Sequence, residues 1–355
     1  MAALSLRRHH RQTRPFQKEV KMSQMFQVIR VLPSTDYVTA ATKLIASAQK
    51  RVVLFTMIMT YDATTETFFD TLCEAAKRGV EVHVAGDIFT LGVVSFESDG
   101  RIWSNKGIRS TLRLREKLEE AGVTFLWVGQ LGPILYAQRT HLKWCIVDND
   151  VFCFGGVNLY KNGITNLDYM LHVQDSNLAD RLTAEHHRLC EADRSGAWYK
   201  SFQFDCSAGT VLMDGGIVGR SLIYRRACQL AAEATHIVFV SQYPPGGRLA
   251  HILKKKRARL YYNRWQRAFG MNKVLLWFRS LRGRFPTAYR RSGYIHAKFI
   301  IFTMPDGHKV ALSGTHNFER GGVLLGTREI ALETTDPALV EALEVYGRTY
   351  ISKSI

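Results

Sequence analysis

The stretch whose residue types could do chemistry is His141-Leu142-Lys143, with Asp148 beyond it and then Gly155-Gly156-Val157-Asn158. The apolar residues between, 144–147 and 151–154, read as two strands joined by a turn at Asn149-Asp150. Residues two apart on a strand share a face, so His141 and Lys143 are expected to point the same way. An imidazole that can attack or carry a proton would then lie beside an ammonium that can hold an anion. A near copy follows: His296-Ala297-Lys298, an apolar strand, then Ser313-Gly314-Thr315-His316-Asn317. One His/Lys pair on a strand usually means nothing. Two, each followed by a hairpin return that ends in a small-residue pair and an Asn, carry weight.

The pattern resembles the phospholipase D superfamily, whose motif is H-x-K-x(4)-D followed by a G-[GS]-x-N segment. The resemblance is specific over about 30 residues in each half and loosely covers the whole chain. It implies phosphodiester chemistry, which needs a nucleophile, a proton for the leaving alcohol and positive charge on the non-bridging oxygens. Two histidines and two lysines brought together by a twofold would supply all three with no metal or cofactor. One imidazole attacks phosphorus to give a covalent phosphohistidine, and the other protonates the leaving oxygen. By the family's usual order, His141 would be the nucleophile and His296 the acid and base. Lys143, Lys298, Asn158 and Asn317 would hold the phosphoryl oxygens.

The resemblance also places an acidic residue shortly after each Asn, to fix the imidazole tautomer. Asp168 and Glu329 stand at those places; whether each serves its own half's histidine or the other's is open in the sequence. Asp148 completes the catalytic set of the first motif, while Thr303 stands where the second motif should carry Asp. In the family this Asp is thought mainly to support the strand turn, so its loss bears on symmetry more than on activity. His186-His187 and His308 lack such context and read as surface residues. His316 could line the pocket, and Gly321-Gly322 reads as a turn near the site.

Composition sets the frame. The chain has 355 residues, 46% of them hydrophobic, enough for one large or two ordinary domains. No apolar run approaches the roughly 18–20 residues that span a bilayer. The N-terminal arm, 1–24, is basic around Arg7-Arg8-His9-His10-Arg11 and lacks an apolar signal core. The six cysteines show no metal-ligand spacing and read as small buried hydrophobes, which suits a reducing compartment and a cytoplasmic location. A net charge of +17 attracts anions: nucleic acid, an anionic membrane or a phosphorylated substrate.

The elements that must position the motifs follow one programme twice. A strand at 26–31, a helix from a Ser34 or Thr35 cap to about 48, a strand at 51–60, a helix at 64–77 and a strand at 80–85 imply a parallel sheet packed by helices. After a loop at 92–106 come a helix at 112–120, a strand at 123–128, the first motif hairpin, a strand at 169–173 and a helix at 178–190. Beyond Ser195-Gly196 the order restarts: strands at 210–213, 237–241, 259–262 and 274–278, helices at 217–234 and 248–255, the second motif hairpin and a terminal helix at 337–350. The strand at 52 matches that at 237, an offset of 185, while His141 matches His296, an offset of 155. The second half has therefore lost about 30 residues between those points. The reading is a duplicated phospholipase D-like α/β fold: two mixed or mostly parallel sheets related by a pseudo-twofold, with halves at 25–200 and 201–355.

From 234 to 305 there is no Asp or Glu, and Lys254, Lys255, Lys256 and Arg257 give way to a run of Arg interleaved with Tyr261, Tyr262, Trp265, Trp277 and Phe278. Such a segment suits a membrane interface or single-stranded nucleic acid. The leading expectation is a phosphatidyltransferase or phospholipase D acting on a glycerophospholipid at an anionic membrane surface, similar to bacterial cardiolipin synthases. The alternatives are a nuclease of the same superfamily, with nucleic acid as partner, and a non-catalytic anion-binding protein. Oligomeric state is not written in the sequence.

Overall fold

The computed structural model describes residues 29–92, 105–129, 139–267, 273 and 286–355. The basic arm at 1–24, most of the 92–106 loop and the expected strand at 274–278 lie outside the described residues.

Two seven-stranded sheets carry the chain. The first contains β1 (Ile29–Pro33), β2 (Arg51–Thr56), β3 (Glu81–Asp87), β4 (Thr124–Val128), β5 (Trp144–Val147), β6 (Asp150–Cys153) and β7 (Tyr169–Gln174), in the order β1-β7-β6-β5-β2-β3-β4. The second contains β8 (Phe202–Cys206), β9 (Gly209–Gly215), β10 (His236–Val240), β11 (Arg259–Tyr261), β12 (Phe299–Thr303), β13 (Lys309–Gly314) and β14 (Arg328–Thr334), in the order β11-β10-β12-β13-β14-β9-β8. Read from the opposite edge, the second order repeats the first: β9-β14-β13-β12-β10-β11 answers β1-β7-β6-β5-β2-β3. Among the described residues β4 has no counterpart there. The sheets are mixed, and parallel pairing is confined to β2 with β3, β3 with β4, and β10 with β11. All other neighbours run antiparallel, because tight hairpins such as 148–149 and 304–308 can join only antiparallel strands.

The helices are α1 (Ser34–Ser47), α2 (Glu66–Lys77), α3 (Asn105–Glu120), α4 (Lys161–Thr165), α5 (Ser176–Ser195), α6 (Leu222–Glu233), α7 (Gly247–Lys255), α8 (Arg320–Leu325) and α9 (Pro337–Tyr346). Tyr37, Ala41 and Ile45 of α1, with Phe68, Phe69 and Leu72 of α2 and Leu114 and Leu118 of α3, cover one face of the first sheet. Ile223, Leu230, Leu249 and Leu253 of α6 and α7 cover one face of the second. The largest core joins the other two faces: Trp144, Tyr169 and Leu171 of the first half, Phe299, Ile301 and Ile330 of the second, with Leu182 of α5 and Leu343 of α9. With both faces buried, β5 (WCIV) and β12 (FIIFT) read as unbroken apolar runs.

Several boundaries differ from the sequence expectation. Neither Ser34 nor Thr35 caps α1. Pro33 holds the N-cap position, and the Ser34 hydroxyl donates to the Asp168 carbonyl at 3.1 Å, tying the helix start to the strand that carries a site carboxylate. β8 is half-exposed and was not expected, and α6 begins five residues late, where Ser221 accepts the Tyr224 N–H. Gly321-Gly322 lies inside α8 rather than in a turn. His186 is buried against Phe55 and Trp144, not on the surface. Five of the six cysteines are buried, and none is disulfide-bonded.

Candidate active site

Both motif histidines sit in extended lead-ins to β5 and β12 rather than inside the strands. What fixes them is pairing across the halves. Thr140 bridges Arg328 in parallel, and the His141 N–H donates to the Arg328 carbonyl at 2.9 Å. Leu167 bridges Ile295 in parallel, and the His296 N–H donates to the Leu167 carbonyl at 2.9 Å. In each case the residue before a histidine pairs with the residue before the other half's carboxylate. The side chains follow from this: His141 Nδ1 meets Glu329 Oε2 at 2.8 Å, and His296 Nδ1 meets Asp168 Oδ2 at 2.5 Å. The carboxylates are exchanged between the halves. A histidine served by its own half would have to reach across its own hairpin.

Each lysine takes the same posture. Lys143 Nζ donates to the His141 carbonyl at 2.9 Å, and Lys298 Nζ donates to the His296 carbonyl. Both are buried, at 1% and 0% exposure. Burial, together with the charge of Lys298, brings Lys143 down to about 7; burial brings Lys298 to about 8 against the pull of Asp168 and Glu329. Two ammonium groups stacked in one low-dielectric pocket are a poor arrangement for an empty site and a good one for an anion.

Burial would raise both carboxylates, but the imidazoles facing them hold Asp168 below its usual range and Glu329 at about 2. Asp168 also accepts the N–H groups of Gly156 and Tyr169, and Glu329 the Thr315 hydroxyl at 2.5 Å. Burial and the neighbouring lysine depress His296 to about 4 and lower His141 as well. His296 is then neutral near pH 7, with Nδ1–H donated to Asp168. That tautomer leaves the Nε2 lone pair for chemistry.

The small-residue pairs have steric reasons. A Cβ on Gly155 would lie 1.8 Å from the Tyr169 carbonyl oxygen, and one on Gly314 2.2 Å from that of Ile330. The return strand thus packs against the carboxylate-bearing strand in both halves. A Cβ on Gly156 would lie 2.6 Å from Asp168 Oδ2 and 2.8 Å from Lys298 Nζ, so this position brings the first half against the second half's lysine. Asn158 is buried and its Oδ1 accepts the Ile58 N–H at 3.3 Å, while the Asn317 carbonyl accepts from Ser241.

Asp148 stands apart from this group. It takes a left-handed φ of 52° at the far end of β5, and its carboxylate accepts the N–H groups of Gln49, Lys50 and Arg51 at 2.8–3.0 Å. It holds the entry to β2 and touches no motif histidine or lysine, which corrects its inclusion among the catalytic residues. In the second half the Thr303 carbonyl does the comparable work, accepting both the N–H and the hydroxyl of Thr235.

A cleft of about 140 Å³ opens at His141 and Glu329, lined also by Arg139, His316, Asn317, Thr327 and the apolar Met57, Phe89 and Leu325. Arg139 and Thr140 are held by Asp87, which burial pushes up to about 6. Sequence reasoning missed Asp87 and Arg139, since neither belongs to a repeated motif.

Comparison with known proteins fits this geometry. Residues 41–190 match the family model described as cardiolipin synthase, PLD-like domain. No curated protein matches by sequence. Among solved structures, the phosphatidylserine synthase of Haemophilus influenzae Rd KW20 is similar at 15% identity and a TM-score of 0.70, over 90% of this chain and 85% of that one. A polyphosphate kinase from Porphyromonas gingivalis aligns at 12% identity and a TM-score of 0.58, over 91% of this chain and 47% of that one. Residues 41–190 thus match a PLD-like domain, and the chain as a whole shares the fold of the phosphatidylserine synthase, in agreement with the resemblance that the two motifs carry.

Proposed function

We propose that the protein is a phosphatidyltransferase or phospholipase D acting on glycerophospholipids at a membrane surface, by way of a covalent phosphohistidine. The observation that carries the chemistry is the reciprocal pairing of His141 with Glu329 and His296 with Asp168, beside two buried lysines. A phosphodiester entering between the halves meets the two imidazoles and two ammonium groups. One Nε2 attacks phosphorus; the other imidazole, protonated, gives its proton to the leaving alkoxide and later takes one from the incoming water or alcohol. Lys143 and Lys298 neutralise the non-bridging oxygens, and the amides of Asn158 and Asn317 supply further donors. Neither metal nor cofactor has a part in this scheme.

The rim of the cleft favours a lipid over a polynucleotide. Val218, Leu324 and Leu325 are three of seven large exposed hydrophobic side chains among the described residues, and Leu325 also lines the cleft. The Gly219 N–H donates to the Val323 carbonyl at 2.8 Å, holding Val218 beside α8, and Arg220 and Arg320 are exposed next to them. Apolar side chains with flanking cations suit the acyl edge and headgroups of an anionic bilayer. Among the described residues no helix is long and apolar enough to cross a membrane, so contact would be through this surface and the basic face of α7.

The test is direct: incubate the protein without divalent metal, separately with phosphatidylglycerol vesicles and with single-stranded DNA. Release of glycerol with formation of cardiolipin or phosphatidic acid is expected. Cleavage of DNA alone would move the substrate to nucleic acid, as the +17 charge permits. Turnover of neither would overturn the enzymatic reading.

A further inference from the structure

The two halves differ at one position that faces the cleft. Counting back from Asn158 and Asn317, Val157 corresponds to His316. Val157 is a buried core side chain, whereas His316 is 2% exposed and lines the cleft beside His141. Its Nδ1 accepts the Phe318 N–H at 2.7 Å, which leaves the ring proton on Nε2. Burial, helped by His141, keeps this ring neutral down to about pH 4. His316 Nε2 is buried with no hydrogen-bond partner, and so is Oδ1 of the adjacent Asn317. One orphan donor and one orphan acceptor therefore belong to neighbouring side chains that line the same small cleft. Unsatisfied buried polar atoms at a site call for a ligand atom.

The pair is selective in its chemistry. A phosphoryl oxygen accepts but cannot donate, and would leave Asn317 Oδ1 unpaired. A hydroxyl both donates and accepts, and satisfies both atoms. Resting on the reaction proposed above, we infer that His316 and Asn317 form a hydroxyl-binding subsite for the polyol alcohol that leaves or enters the phosphodiester.

The place of this subsite bears on the division of labour. The diacylglyceryl group retained on phosphorus carries no free hydroxyl, so the hydroxyl bound here belongs to the exchanged alcohol. Of the two motif histidines, only His141 lines this cleft. An alcohol held by one hydroxyl at His316 presents its reacting oxygen to His141, and in-line displacement puts the nucleophile on the opposite side. His296 Nε2 then forms the bond to phosphorus while the bond from phosphorus to the leaving oxygen breaks, and His141, which enters this step as the imidazolium with Nδ1–H on Glu329, passes its Nε2 proton to that oxygen. In the second step an alcohol gives its proton to His141, its oxygen bonds to phosphorus, and the P–N electron pair returns to His296. This reverses the order that the family resemblance implies.

The experiment uses the full chain with phosphatidylglycerol vesicles and two acceptors, labelled glycerol and labelled ethanol, the second having no additional hydroxyl to bind. The wild type is expected to prefer glycerol in kcat/KM, and His316→Val, which copies the other half, to lower that preference about tenfold, the worth of one good hydrogen bond. His316→Gln keeps a donor and should recover most of it. A preference that does not move in His316→Val overturns the subsite. Independently, a p-nitrophenyl phosphodiester should still trap phosphoenzyme in His141→Ala and fail to in His296→Ala; the opposite pattern overturns the assignment of roles. If the wild type consumes no phosphatidylglycerol at all, it is the lipid reading that fails, not the subsite.

Discussion

The two motif hairpins, one duplicated design, differ in what each has kept. The first retains Asp148 at its tip and two glycines on its return; the second has Thr303 at the tip and Gly314-Thr315-His316 on the return. Where the halves agree, the reason lies at the shared interface: each histidine finds its carboxylate on the other half, and each lysine donates to its own histidine's carbonyl. Where they differ, the position is a strand turn (148 and 303), a contact with a site carboxylate (156 and 315) or, at His316, the cleft. The exchange of carboxylates is symmetric; the residues packed around it are not.

The largest effect should come from breaking the exchange. Asp168→Asn and Glu329→Gln keep size and burial but favour the wrong imidazole tautomer, so each is expected to lower kcat about 10³–10⁴-fold with little change in KM. Steady-state kinetics on a soluble short-chain phosphodiester would check this. A mild loss in either variant would mean that its histidine is oriented by something else. If both fall equally, the two imidazoles are equally dependent on their carboxylates despite their different surroundings.

The pH profile sharpens the comparison next. Lys143 and Lys298 lose their charge as pH rises through about 7 and about 8, so the free enzyme's attraction for phosphate weakens on the alkaline side. His296 charges only below about 4. A plot of kcat/KM should therefore fall on the alkaline side of about pH 7, up to tenfold per pH unit for each lysine, with loss of the His141 proton adding to the fall. Lys143→Met should remove the limb nearer pH 7 along with most of the activity. A profile still rising at pH 9 would contradict the buried-lysine picture.

Steric matching comes third. Gly156→Ala drives a methyl into Asp168 and Lys298 at once, and is expected to cost about 1–3 kcal/mol and a further loss of activity. Thr315→Ala at the equivalent place in the second half removes a methyl and a hydroxyl that donates to Glu329 and accepts the Ile330 N–H, at a cost of about 1–3 kcal/mol. Chemical denaturation of both variants, with activity measured in parallel, would show whether only the first-half position is sterically closed.

Much of this was legible in the residues, because repetition filters chance. His141, Lys143, His296, Lys298, Asp168 and Glu329 recur at matched places, and the 185 and 155 offsets bracket a shortening of the second half between the strand at 237 and His296. The partnering of carboxylates was not legible, since it depends on two isolated parallel bridges that involve Thr140 and Leu167, residues with no chemical signature. Arg139 and Asp87 escaped for the same reason. His186 was misplaced because a helix with His186-His187 on its surface and one with His186 inside have the same local pattern. The sheets are mixed, as the sequence implied, with parallel neighbours only where a helix joins the strands, at β2-β3-β4 and β10-β11.

The smallest effect concerns the hairpin tips. Asp148 sits at φ 52°, where Asn or Gly is also at ease, and its carboxylate accepts three backbone N–H groups from 49–51. Asp148→Ala removes both acceptor oxygens, and with them three hydrogen bonds, and adds left-handed strain, so about 1–2 kcal/mol of stability should go, tempered by partial exposure. Asp148→Asn keeps one acceptor and the backbone preference, and should cost less than half of that. At Thr303 the contact to Thr235 is made by the backbone carbonyl, so Thr303→Ala leaves it intact and should stay within about 0.5 kcal/mol. Urea melts of the three variants rank them. Activity in Asp148→Asn should follow its stability; a thousandfold drop in a folded Asp148→Asn would instead return this residue to the catalytic set.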